Sequence, residues 1–278
     1  MKMVAKTDSE RFHSRADKYA AYLETPEGRL RFDLAFANLR EFLRLPQATR
    51  SLRALDLGCG TGATGVRLAR LGIHVTLLDS SPAMLDIAKH AAREAGVPEK
   101  IVLKHGNATQ VANLFPMGSF DIVLCHNILE YVDHPSAVLS AAAQVMRCDS
   151  TGIGILSILV RNWAGEVFKA GIQEGDLGAA EHNLTAEWGH ESLYGSRVRL
   201  FTADSLRTML KVASLGVTAE RGVRIISDYL PPQVSRSAEY ERIFELERKL
   251  GSRPEFVAVA RYTQYLARCA GPVTEDPA

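Results

Sequence analysis

An α/β domain built on a doubly wound, mostly parallel sheet is the fold this sequence predicts, and two observations carry that expectation. From Leu52 onward, short apolar runs alternate with helical segments, the rhythm of β-α-β units. The first run leads into Leu55-Asp56-Leu57-Gly58-Cys59-Gly60-Thr61-Gly62, a glycine-rich turn set between strand and helix. An acid, Asp79, closes the next run 21 residues after Gly58.

The elements follow in order. Residues 10–24 are charged and aromatic and read as helical. Pro26-Glu27-Gly28 breaks that run, and residues 29–45 resume it with Leu30, Leu34, Leu39 and Phe42 at amphipathic spacing. Strands are expected at 52–57, 74–78, 101–103, 120–125 and 153–159, with helices at 62–71, 82–95 and 135–146 between them. Asp79-Ser80-Ser81-Pro82 supplies cap residues and then proline, good chemistry for a helix start. Residues 162–202 interrupt the rhythm with scattered glycines and both tryptophans, and a segment of that length with weak periodicity is usually functional. A helix at 203–213, a strand at 217–226, a helix at 237–250 and a last apolar run at 256–267 follow, before a frayed tail at 271–278.

Composition bounds the function. The chain has 278 residues, enough for one large domain with its own core, and its net charge of +1 provides no global field toward nucleic acid or an acidic membrane. The four cysteines, Cys59, Cys125, Cys148 and Cys269, are widely spaced without a Cys-x-x-Cys pair, so neither a metal site nor a disulfide framework is expected. Glu181, His182, Glu187, His190 and Glu191 cluster in the insertion, but their spacing matches no standard ligand pattern. The first residues show no apolar signal core, and the longest apolar stretch, 152–160, is too short to span a bilayer. The expected location is a reducing cytoplasm, with no membrane partner.

The glycine loop carries the chemistry. Gly58 and Gly60 allow a sharp turn and leave the main chain open to a ligand, and Asp79 is placed to accept hydrogen bonds from both hydroxyls of an adenosine ribose. Dinucleotide enzymes share that geometry, but Asp56 adds a carboxylate beside the ligand. That charge is wrong for a pyrophosphate and right for a sulfonium or an amino group, which favours S-adenosylmethionine (SAM). Gly106-Asn107-Ala108-Thr109 follows the third strand, where small residues let an adenine lie against the backbone. The fourth strand ends in His126-Asn127 at the same crevice, while Asp121 at its start suits a structural role.

With these motifs, residues 50–160 resemble the class I SAM-dependent methyltransferases, which implies a seven-stranded sheet with an N-terminal helical cap and an insertion after strand 5. Nearly the whole chain is similar to the tRNA 5-carboxymethoxyuridine methyltransferase family. The likeness rests on Gly28-Arg29-Leu30-Arg31, Gly222-Val223-Arg224, Asp228-Tyr229-Leu230, Glu245-Leu246-Glu247 and Arg261-Tyr262. It implies O-methylation of a carboxylate, that of a carboxymethoxy group on the wobble uridine of tRNA, to a methyl ester. It also implies cofactor contacts at Arg31, Gly58, Cys59, Asp79, Ala108, Thr109 and His126, to which the residue reading adds Asp56 and Gly60. Arg31 suits the carboxylate of the cofactor's methionine part. Cys59 stands where the family has glycine.

One domain, 1–278, is therefore expected in four parts: a helical cap over 1–50, a SAM-binding core over 51–160, a substrate-side insertion over 161–202 and the C-terminal part of the sheet over 203–278. A carboxylate acceptor is already ionised at neutral pH and needs a cation to orient it rather than a base, and the candidates are Arg224, Arg199 and Arg261. Tyr194, Tyr229 and Tyr262 are candidate hydroxyl donors or stacking partners for a base. For a phenol or amine acceptor, His126 is the candidate base. No residue is singled out as chemically catalytic. Where the family can carry a lysine-rich run, the insertion reads Ala179-Ala180-Glu181-His182-Asn183-Leu184-Thr185-Ala186-Glu187-Trp188, so a free small carboxylate or other small-molecule metabolite stays open beside tRNA as acceptor. The oligomeric state is left open as well.

Overall fold

Parallel strands buried on both faces need helices on each side, and the apolar runs of this chain provide for that arrangement. The computed structural model describes residues 15–43, 51–149, 152–191, 193 and 195–270. Tyr194 and the tail 271–278 lie outside the described residues, as do the ends of the expected cap. Helices α1 (Ala16–Leu23) and α2 (Pro26–Phe42) precede β1 (Arg53–Leu57), α3 (Ala63–Arg70), β2 (His74–Asp79), α4 (Pro82–Glu94) and β3 (Ile101–His105). Next come α5 (Val111–Leu114), β4 (Ile122–His126), α6 (Pro135–Val145) and β5 (Ile155–Arg161). The insertion holds α7 (Trp163–Phe168), a π-helical turn (Lys169–Gln173), α8 (Leu177–Asn183) and the hairpin strands β6 (Trp188–Glu191) and β7 (Ser196–Arg199). The chain then runs through α9 (Ala203–Val212), β8 (Leu215–Val223), α10 (Tyr240–Gly251), α11 (Pro254–Val257) and β9 (Tyr262–Cys269).

The main sheet has seven strands in the order β3-β2-β1-β4-β5-β9-β8, parallel except for β9, which runs antiparallel to both its neighbours. Strand alternation splits the core: Leu55 and Leu57 pack with Val123, Leu156 and the α6 and α9 side chains, whereas Ala54 packs with Ile122, Leu124 and residues of α3 and α4 on the other face. A third cluster, Leu30, Leu34, Val223, Ile243 and Tyr262, seats α2 and α10.

Pro26 does not break the first helical run; it starts the second. It sits in the first turn of α2, Thr25 caps that helix by accepting the Gly28 N–H at 3.1 Å, and the break falls just before it. Asp121 is structural: its fully buried carboxylate accepts the Arg53 N–H at 2.9 Å and pairs with Arg147 at 3.0 Å. The absence of a disulfide, expected from cysteine spacing, is corrected. Cys148, just after α6, and Cys269, at the end of β9, are joined by a disulfide across 121 residues of sequence, because the antiparallel β9 returns the chain to the end of the sheet where α6 delivers Cys148. Among the described residues, no helix is long and apolar enough to cross a membrane.

Candidate active site

The six parallel strands, β1–β5 and β8, point their carboxyl ends at one edge of the sheet, and the turns leaving them, roofed by α1, α2 and the insertion, enclose a chamber of about 710 Å³. On the glycine-loop side, the backbone at Gly58 and Gly60 takes φ values of +64° and +53°, and a Cβ on Gly58 would sit 2.4 Å from the Ile128 side chain. Asp79 braces that loop. Its two oxygens accept the N–H groups of Gly60 and Ser81, each at 2.8 Å, and burial raises its pKa against the pull of those donors. A carboxylate has lone pairs to spare beyond these two bonds, enough for the hydroxyls of a ribose. Gly106, Asn107, Ala108 and Thr109 line the wall beyond Asp79, with the Thr109 N–H and hydroxyl both held by Asn107 Oδ1.

Asp56 and Cys59 do not line this chamber. They face a smaller adjoining space of about 50 Å³ shared with Arg31, Gly58 and His126, because alternation along β1 turns Asp56 beneath the loop. Burial, then the neighbouring Asp79, lifts Asp56 to a pKa of about 7. Burial also pushes the Cys59 thiol well up, so it is not a nucleophile. Arg31 lines both spaces. It is 8% exposed, pairs with no carboxylate among the described residues, and lies within hydrogen-bond reach of the Tyr19 hydroxyl at 3.2 Å and beside the rings of Tyr22 and Tyr262. A buried guanidinium left without an acid, a buried carboxylate and a glycine cradle fit the carboxylate, the amino group and the nucleoside of SAM respectively.

His126 Nε2 lies 2.8 Å from Ser157 Oγ, and that hydroxyl also accepts the Gln264 Nε2–H at 3.0 Å. Burial, with Arg31 nearby, lowers the histidine to a pKa of about 4, so it stays neutral and is a weak base. The expectation of His126 as a base for phenol or amine acceptors loses its support here.

Another part of the lining is built by arginines. Tyr262, at the start of β9, lies among Arg31, Arg161, Arg224 and Arg261; burial opposes its ionisation, but the four cations outweigh that and bring its pKa down to about 8. Each cation of the outer three is anchored. Arg224 Nε donates to Asp228 at 2.7 Å and its Nη1 to the Tyr22 hydroxyl at 3.0 Å. Arg161 and Arg261 share Glu166 Oε1 at 2.8 and 2.7 Å, and Arg261 Nε stands 3.9 Å from Asp228. Arg224 itself has a left-handed backbone, φ +61°, which costs energy for a residue with a Cβ. The following turn is clamped: the N–H groups of Ile225, Ile226 and Ser227 all donate to the buried Glu247 carboxylate, at 2.7, 3.0 and 2.8 Å.

Two expected acceptor residues stand elsewhere. Arg199 is not at the chamber; on β7 it is half-buried against Trp188, its guanidinium 4.6 Å from the centre of that ring and its Nε buried without a hydrogen-bond partner, on the hairpin face it shares with Trp188. Tyr229 does not line it either, its hydroxyl is buried without a hydrogen-bond partner, and burial with Asp228 raises it to about 12. Sequence reasoning missed Arg161 and Glu130. Glu130 Oε1 accepts the Asn127 amide at 3.0 Å and the Arg161 N–H at 2.9 Å, fixing the β4 exit to the end of β5, while its Oε2 is buried without a partner. A polar residue at the end of so apolar a strand as β5 was the available signal for Arg161. Among the described residues, no three of the histidines, cysteines and acids gather as metal ligands.

Residues 54–149 match the family model described as a methyltransferase domain. Over nearly its full length the chain is similar to the tRNA 5-carboxymethoxyuridine methyltransferase of Escherichia coli (strain K12), with 28% identity over 267 residues, 92% of this chain and 95% of that one. A ubiquinone biosynthesis O-methyltransferase of Aromatoleum aromaticum is 35% identical over 116 residues, 42% of this chain and 47% of that protein. Among solved structures, the fold resembles the CcbJ methyltransferase from Streptomyces caelestis, with TM-score 0.60, 18% identity and coverage of 94% and 98%. It also resembles a SAM-dependent methyltransferase from Thermotoga maritima described as a possible histamine N-methyltransferase, with TM-score 0.59, 14% identity and the same coverage.

Proposed function

We propose that this chain, a SAM-dependent methyltransferase with the class I fold, transfers methyl to the carboxylate of 5-carboxymethoxyuridine at the wobble position of tRNA. The observation that carries this reading is the gathering of Arg161, Arg224 and Arg261 about Tyr262, in the same chamber that the glycine loop lines. Such a wall suits an anionic acceptor; a phenol or amine gains nothing from it. The full-length likeness to a tRNA-modifying enzyme supports the RNA-borne acid. The likeness to ubiquinone O-methyltransferases covers less than half of either chain and so speaks to the cofactor half alone.

In this reading Arg31 takes the methionine carboxylate, Asp56 its amino group and Asp79 the ribose hydroxyls, while Ala108 and Thr109 flank the adenine and His126 closes the floor as a neutral side chain. Bound there, SAM supplies an electrophilic methyl on a sulfonium; a carboxylate oxygen takes it with no proton to remove, leaving the methyl ester and S-adenosylhomocysteine. The protein's work is alignment in a dry, fixed field. Arg224 and Arg261, held by Asp228 and Glu166, orient the acid, and Tyr262 donates a hydrogen bond that leaves the attacking oxygen free. No general base is required. A tRNA acceptor fits a cytoplasmic enzyme.

The test is transfer of labelled methyl from SAM to bulk tRNA taken from a strain lacking the gene, followed by nucleoside analysis. An alkali-labile methyl on the wobble uridine is expected. Unlabelled tRNA beside labelled small acids would overturn the tRNA assignment.

A further inference from the structure

The insertion carries an unusual surface. Phe168, Ile172, Leu177, Leu184 and Trp188 all stand exposed there, and two unpaired arginines lie beside the last of them. The hairpin explains how. In its register Trp188 faces Arg199 and His190 faces Arg197, so these four side chains share one face, while Glu191, Ser196 and Val198 are buried on the other. Both guanidiniums stack on the indole, at 4.9 Å for Arg197 and 4.6 Å for Arg199. Neither makes an ion pair among the described residues. Several other surface arginines are neutralised: Arg207 by Glu220, Arg221 and Arg248 by Glu41, Arg242 by Glu239. Arg15 adds a further cation at the hairpin tip, its Nη1 donating to the Leu193 carbonyl at 2.7 Å.

This face is continuous with the chamber, since His190 and Leu193 line its mouth. We propose that the outer face of the β6–β7 hairpin, Trp188 with Arg197 and Arg199, is the landing strip for the single-stranded RNA that delivers the acceptor nucleotide. The inference rests on the tRNA acceptor proposed above. Unpaired guanidiniums attract phosphates, their planes together with the part of the indole they leave open offer a base a stacking surface, and the two together are what single-stranded nucleic acid binds. A phosphate-rich partner also matches the charge: unneutralised cations on a molecule whose net charge is only +1. The strand direction leads from the exposed Trp188 to His190 at the opening, so a chain of nucleotides lying along it runs into the active site.

Two acceptors separate the hairpin from the chamber: free 5-carboxymethoxyuridine, which needs the chamber alone, and a synthetic anticodon stem–loop carrying the same nucleotide. In the Arg197→Ala/Arg199→Ala variant, kcat/KM for the stem–loop should fall about ten-fold or more, chiefly through KM, with free-nucleoside turnover unchanged. The dependence of log Kd on log salt should become shallower by roughly 1.4, about 0.7 for each single-strand phosphate that the two arginines no longer neutralise. Stem–loop binding should quench tryptophan fluorescence in the wild type and lose that quench in Trp188→Phe, a readout that merely structural roles would not move. Unchanged stem–loop kcat/KM and salt slope would overturn the hairpin assignment while leaving the tRNA reading intact. A wild-type enzyme that methylates the nucleoside and ignores the stem–loop would overturn both.

Discussion

Three consecutive backbone N–H groups aimed at one carboxylate is an expensive arrangement to keep unless the turn it fixes matters. Glu247 makes that arrangement with Ile225, Ile226 and Ser227, and the turn begins at Arg224, whose left-handed backbone needs external support. Glu247→Gln keeps the size but loses the negative acceptor, so SAM affinity should persist while acceptor kcat/KM falls on the order of ten-fold, about 1.4 kcal/mol. Calorimetry with SAM and steady-state kinetics read the two effects separately. Tyr262 makes a pH prediction. Its pKa of about 8 keeps it neutral and donating below that pH, and above it the phenolate repels an acceptor carboxylate. Acceptor kcat/KM should therefore fall as pH rises through about 8, and Tyr262→Phe should show a lower but flat profile over that range. Asp56 works in the opposite sense. Its pKa of about 7 in the free enzyme falls when a cationic amino group binds beside it, so SAM binding should release a proton and strengthen as pH rises through about 7. Titration calorimetry in buffers of different ionisation heat measures that proton directly, and Asp56→Asn should abolish it.

At the scale of elements, the part of the site that the sequence displays is the part made locally. The glycine loop, the acid closing β2 and the turn after β3 are each continuous stretches at the ends of neighbouring parallel strands, so their spacing is readable without the fold. The acceptor wall is different. Arg161 ends β5, Arg224 follows β8, Arg261 precedes β9 and Glu166 comes from α7, and they meet only because β9 inserts antiparallel between β5 and β8. Periodicity cannot report such a meeting, which is why Arg161 went unseen and Arg199 and Tyr229 were expected at the wrong place. The same strand explains the disulfide. Tyr262 at its start faces the chamber and Cys269 at its end lies at the opposite edge of the sheet, beside Cys148. Because the bond closes a loop of 121 residues yet stands away from the site, Cys148→Ser/Cys269→Ser should lose about 2–4 kcal/mol of stability and keep its kcat. Thermal denaturation and turnover of the variant beside the wild type decide it, and a loss of turnover in a folded variant would tie the staple to the chamber.

For the whole molecule, net charge misleads where local charge does not. A value of +1 argues against a nucleic-acid enzyme only if the cations are spread evenly, and here they are sorted. Arg161, Arg224 and Arg261 are gathered inside around Tyr262, each paired with an acid, while Arg197 and Arg199 stand against Trp188 on the hairpin without an ion pair among the described residues. In the proposed reading, that sorting places cations oriented by acids at the chamber and a basic approach beside it. The most direct measurement compares two anticodon stem–loops that differ in a single group, one carrying 5-carboxymethoxyuridine and the other its neutral amide, in single-turnover methyl transfer. Rapid transfer to the acid, giving an alkali-labile ester, and a rate at least a hundred-fold lower for the amide are expected. Equal transfer to both, or methylation at any atom other than the carboxylate oxygen, would contradict the assignment of the arginine wall to an anionic acceptor.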